Sequence, residues 1–82
     1  MNYRVIFHAS GSAQIPGLPE AAFLTLVEAL AKVGEDPWKN SGTGQRDDLN
    51  YREVMFGDYG LAAFYVDRPR RTVAVYEIVW AG

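Results

Sequence analysis

The chain has 82 residues, enough for one domain (residues 1–82) with a single modest core that buries roughly 60–65% of the unfolded surface. It has no cysteine and one histidine, which excludes disulfides and cysteine-based metal sites and argues against a dedicated zinc or iron centre. A formal charge of −2 argues against broad, non-specific nucleic-acid binding, while six arginines leave room for a local basic patch.

The opening Met1-Asn2-Tyr3-Arg4-Val5 lacks the basic leader and apolar run of a signal peptide. No stretch approaches the ~18 apolar residues of a membrane span. These features predict a soluble cytoplasmic protein with no membrane partner. Residues 3–8 then alternate as a short strand, with Tyr3, Val5 and Phe7 on one face, the better core face, and Arg4, Ile6 and His8 on the other. His8 reads either as a surface or turn histidine or as a general base, since imidazole is suited to proton transfer near neutrality.

Two prolines and two glycines break residues 9–19, leaving at most a short helical turn after Ser10 or Ser12 as a cap. A longer helix is predicted from Pro19 or Glu20 to about Val33. Proline suits a first helical turn, and a glutamate there faces the positive end of the helix dipole. Phe23, Leu26, Val27, Leu30 and Val33 recur at spacings of three and four and form one apolar stripe. Gly34 is the expected C-cap, and Pro37 ends any continuation.

Residues 38–50 are polar and turn-rich, a long loop of the kind that is often functional or mobile. Trp38 is expected to pack beneath the helix end. Ser41-Gly42-Thr43-Gly44 lacks the lysine and following helix of a phosphate-binding loop, and Asp47-Asp48 reads as a solvated acidic pair rather than a cation site.

Three strands follow, Tyr51–Phe56, Tyr59–Val66 and Thr72–Trp80, rich in aromatic and β-branched residues. Gly57-Asp58 and Asp67-Arg68-Pro69-Arg70-Arg71 supply the turns between them. In the last strand strict alternation puts Val73, Val75 and Val79 on one face with Glu77, and Thr72, Ala74, Tyr76, Ile78 and Trp80 on the other. A carboxylate among valines is costly unless it is paired, hydrogen-bonded or near an edge.

This order predicts a two-layer α+β domain with a helix on one face of the sheet. Beyond that, the chain resembles the RelE/ParE superfamily of small bacterial toxins. The resemblance rests on Val5-Ile6-Phe7-His8-Ala9, on Leu18-Pro19 before the helix and Asp36-Pro37-Trp38 after it, on Tyr51-Arg52 with Gly57-Asp58-Tyr59, and on the closing apolar strand. It implies a β-α(α)-β-β-β fold with an antiparallel four-stranded sheet in the order 1-4-3-2. It also implies the toxin of a type II toxin–antitoxin pair, with a cognate antitoxin as partner.

RelE-like members cut mRNA in the ribosomal A site without metal or cofactor, and ParE-like members inhibit DNA gyrase. A RelE-like endoribonuclease is the leading implication. A gyrase inhibitor or a catalytically degenerate antitoxin-binding relative is the alternative, because Gly60 stands where RelE-like nucleases usually carry arginine and Val79-Trp80 replaces a basic-aromatic pair. For the nuclease the candidates are Arg52 at a phosphate, Glu53 or His8 as base, and Tyr59 or Tyr76 as proton donors. Tyr51 and Tyr65 are candidates for stacking on bases, and Arg68, Arg70 and Arg71 for gripping an RNA backbone. Each has a plainer reading as a surface, packing or solvated-turn residue.

Overall fold

Residues 2–44 and 46–82 are described by a computed structural model; Met1, in the leader reading, and Gln45, in the polar loop, lie outside the described residues. The elements are β1 (Arg4–Phe7), α1 (Ala9–Ser12), a 3-10 turn (Ile15–Gly17), α2 (Glu20–Glu35), β2 (Gly42–Thr43), β3 (Tyr51–Phe56), β4 (Gly60–Asp67) and β5 (Thr72–Trp80). The α+β class holds, with α2 on one face of the sheet. Among the described residues no helix is long and apolar enough to cross a membrane.

The sheet departs from the expected four antiparallel strands in two respects. The expected order 1-4-3-2 holds as β1-β5-β4-β3, but a fifth strand, β2, extends it beyond β3, and β1 pairs with β5 in parallel rather than antiparallel, Val5 opposite Val73 and Phe7 opposite Val75. Chain direction explains this. One helical return after β1 restores the starting direction at β3, and two hairpins leave β5 pointing as β3 does. The fifth strand, β2, lies in the polar loop and pairs with β3 through Gly42–Glu53 and Thr43–Arg52. At two residues it is too short to show a strand pattern, although Thr43 is β-branched.

The helices also differ in detail. Turn α1 starts with His8 as N-cap, and Ser10 lies inside it, its hydroxyl donating to the Tyr76 carbonyl at 2.8 Å. Gly11 lets this turn lie directly on β5, because a Cβ would come 2.6 Å from the Val75 carbonyl oxygen. Helix α2 runs on past Gly34, whose carbonyl accepts the Tyr3 N–H at 2.6 Å, and ends at Glu35 with Asp36 as C-cap. The Asp36 carboxylate accepts the Trp38 and Lys39 N–H groups, both at 3.1 Å, and closes the turn.

Leu26, Leu30 and Val33 of the apolar stripe are buried against Phe64, Val66, Val73 and Val75 of the sheet. Phe23 and Val27, from the same stripe, stay exposed (38% and 47%), so one short sheet and one helix leave part of the stripe uncovered. Gly60 is buried under the Phe56 ring, which a Cβ would overlap; an arginine at this position has no room to enter.

A β-bulge resolves the Glu77 conflict. Ala63 pairs with Glu77 and Phe64 pairs with Val75, which leaves Tyr76 as the extra residue. The bulge reverses the alternation beyond it. Val73 and Val75 face α2, and so does Ile78, whereas Glu77 and Val79 are exposed. The face assignment expected for residues 77–80 is therefore inverted.

Candidate functional site: the open face of the sheet

The sheet face away from α2 holds an open depression of about 640 Å³. Its floor is made of small side chains on β5, Thr72 and Ala74, both buried. The pairing rows explain its walls. Ile6, Ala74, Tyr65 and Tyr51 lie side by side across four strands, and Arg4, Thr72 and Asp67 form the next row.

The tyrosines make one wall. Tyr51 and Tyr65 meet edge to face at 4.9 Å between centroids, and Tyr51 and Tyr76 at 5.8 Å. His8 stands at the other side. It follows the Phe7–Val75 pairing and donates its backbone N–H to the Val75 carbonyl at 2.9 Å, so it comes level with Tyr76. Arg4, Arg46 and Arg70 also line the depression, from β1, the loop before β3 and the turn before β5. Among the described residues Asp67 is the one carboxylate lining it, and it lies 3.8 Å from the Arg70 guanidinium. Three guanidiniums against one carboxylate make a cationic, aromatic concavity on a chain whose net charge is −2.

The structure thus brings His8, Tyr51, Tyr65, Tyr76 and Arg70 together and separates the other candidates. Arg52, expected on the open face, points to the helix side, because it pairs with Phe64 in a row that faces the core. Its guanidinium donates to the Ser41 hydroxyl at 2.7 Å, the Ser41 carbonyl at 3.0 Å and the Trp38 carbonyl at 3.3 Å, and lies over the Trp38 ring at 5.2 Å. It is a brace for the polar loop. Arg52→Ala is expected to lower stability by about 1–3 kcal/mol in urea unfolding, through the loss of charged hydrogen bonds, and to leave ligand binding on the open face unchanged.

Glu53 shares the face of Tyr51 but sits outside the depression, with Ala63 between it and Glu77. Tyr59 is 62% exposed in the hairpin after β3 and also lies away from it. The three arginines of the last turn do not form one grip. Arg68 lies over the Trp38 ring at 4.4 Å, Arg70 faces the depression, and Arg71 lies 5.9 Å over the Tyr3 ring. Among the described residues there is no group of three metal-ligating side chains.

Arg4 and Arg46 were not among the expected site residues. Alternation with His8 is a usable signal for Arg4. Arg46 has none, since only the course of the loop brings it over the tyrosines.

No family model and no curated protein matches the sequence. Solved structures do match in fold. The chain superposes on a RelBE toxin–antitoxin complex from Mycobacterium tuberculosis with a TM-score of 0.85 at 17% identity, covering 99% of this chain and 100% of the other. An archaeal RelE–RelB complex from Pyrococcus horikoshii gives 0.76 at 19% identity, with 100% and 98% covered. A mutant of the Escherichia coli toxin RelE bound to an antitoxin RelBc peptide gives 0.85 at 17%, with 100% and 86% covered. At these identities the likeness is one of fold, and the fold is that of RelE.

Proposed function

We propose that this chain, built on the RelE fold, is the toxin of a toxin–antitoxin pair and cuts mRNA on its open face. The observation that carries the reading is the convergence of Arg4, Arg46 and Arg70 with His8 and three tyrosines in one open depression. The chemistry follows from those groups. The His8 imidazole accepts the proton of an RNA 2′-hydroxyl, and the 2′-oxygen attacks the adjoining phosphorus. The bond from phosphorus to the 5′-oxygen breaks, and the Tyr76 phenol gives that oxygen its proton. The products are a 2′,3′-cyclic phosphate and a 5′-hydroxyl. Arg4 and Arg70 offset the charge that builds on the phosphate oxygens, and Tyr51 and Tyr65 stack on bases. No metal is required by this scheme.

The partner is a cognate antitoxin. Val5 and Phe7 of β1 form an apolar groove with Val27, Leu30 and Ala31 of α2. It adjoins the free edge of β1, which has a sheet neighbour on one side only. An extended or helical apolar segment fits there. Val27 is 47% exposed, so Val27→Asp is expected to keep the fold, as thermal unfolding would check. It is expected to weaken the antitoxin complex at least about 10-fold by calorimetry, the effect of a charge left unpaired in an apolar contact. Unchanged affinity would move the antitoxin elsewhere.

The reading is tested by expression in bacteria. Growth arrest that co-expression of the neighbouring gene product relieves, with message shortened and DNA supercoiling normal, supports it. Arrest with altered supercoiling and intact message would favour the gyrase alternative instead.

A further inference from the structure

Arg46 is held differently from the other arginines of the loop and turn. Arg52 is fixed by three hydrogen bonds and Arg70 is tied to Asp67. Arg46 is exposed, and its guanidinium lies 4.7 Å from the centre of the Tyr51 ring and 5.9 Å from that of Tyr76. Among the described residues no carboxylate is within ion-pairing distance of it. It therefore covers the ring that the depression would offer to a flat ligand.

Described residues on either side of it are anchored. Gly44 N–H donates to the Tyr51 carbonyl at 2.9 Å, Tyr51 N–H to the Asp48 carbonyl at 3.0 Å, and Asn50 N–H to the Asp48 carboxylate at 2.8 Å. The Arg46 side chain can leave the ring without breaking any of these bonds. An exposed cation over a phenol ring is a weaker contact than a nucleobase stacked on it, and a guanidinium released beside a phosphate gains charge-assisted hydrogen bonds. Both changes favour exchange.

We propose that Arg46 is an exchanging residue: in the free protein it caps Tyr51, and when single-stranded RNA binds, a base takes the ring while the guanidinium moves to the neighbouring phosphate. This rests on the RNA reading of the open face. It adds a residue and an order of events, with the tyrosine platform protected until a base and a phosphate arrive together.

The test uses the intact protein and hexaadenylate with 2′-O-methyl riboses, which cannot be cut by attack of the 2′-oxygen. In the free protein the Arg46 Nε–H proton should resonate upfield, shielded by the ring. Hexaadenylate should shift the Tyr51 ring signals and return that proton downfield. In anisotropy titrations Arg46→Ala should bind about 5–10-fold more weakly at low salt, with the slope of log K against log salt smaller by about 0.7, the value for one phosphate contact on a single strand. Arg46→Lys should restore most of that slope.

Binding that shifts Tyr51 while the Arg46 proton stays upfield would overturn the exchange and leave RNA binding standing. So would an unchanged slope, or tighter binding by Arg46→Ala. If hexaadenylate shifts nothing on the open face, the RNA reading itself fails and the exchange falls with it.

Discussion

His8→Ala and Tyr76→Phe are each expected to lower mRNA cleavage by about 10²–10⁴-fold, the usual contribution of a positioned acid or base. Both side chains reach the depression from adjoining strands, His8 from the end of β1 and Tyr76 from the bulge in β5. His8 is exposed, and Tyr76→Phe keeps the ring that packs against Tyr51, so neither change removes core contacts. Thermal unfolding should therefore stay within about 0.5 kcal/mol of the parent, as for surface substitutions, and Tyr76→Phe should still bind uncleavable RNA. Full cleavage by either folded variant would remove that residue from the chemistry. Loss of binding in Tyr76→Phe would make the hydroxyl a recognition group instead.

The second large effect concerns the bulge. Ile78→Ala is expected to cost about 2–5 kcal/mol, because it empties a buried site against α2 and the central strands. Val79→Ala should cost no more than about 0.5 kcal/mol, since Val79 is 46% exposed on the other face. For a domain of this size the first change lowers the melting temperature by roughly 4–8 °C per kcal/mol, a shift readily seen by circular dichroism. A strand without the bulge would give the reverse ranking. The same geometry places Glu77 in solvent and Tyr76 at the depression, so this pair of variants also checks the frame on which the site is built.

Much of the architecture is written in local patterns. The apolar stripe of α2 and the alternation in β1 are read correctly as far as Leu26, Leu30, Val33 and Val5 are concerned, since each depends only on period and side-chain type, whereas Phe7 shares the face of Val5 but stays 39% exposed at the sheet edge. The three long strands are legible for the same reason. The parallel β1–β5 pairing also follows from chain direction once the helix and the two hairpins are counted.

What escapes is set by the backbone. One extra residue at Tyr76 inverts every face beyond it, and Glu77 among valines signals a conflict without locating the bulge that resolves it. Gly42–Thr43 is only two residues long, too short for alternation to show. Arg52 illustrates the limit for the site: beside Glu53 it reads as half of a catalytic pair, yet neighbours on a strand face opposite ways. Arg52 therefore braces Trp38 and Ser41 on the helix side, while Tyr51 and Glu53 face out. The three arginines of 68–71 diverge because a turn points successive side chains in different directions. The site is assembled from Arg4, Arg46 and Arg70, which are far apart in sequence and meet only when the sheet forms.

The most direct test of the central claim is to map the 5′ ends of a message in a purified translation reaction with and without the protein. New 5′ ends on translated message, lost in His8→Ala and Tyr76→Phe, are the predicted result. Message that stays intact at high protein concentration, in a reaction where ribosomes are translating, would contradict it.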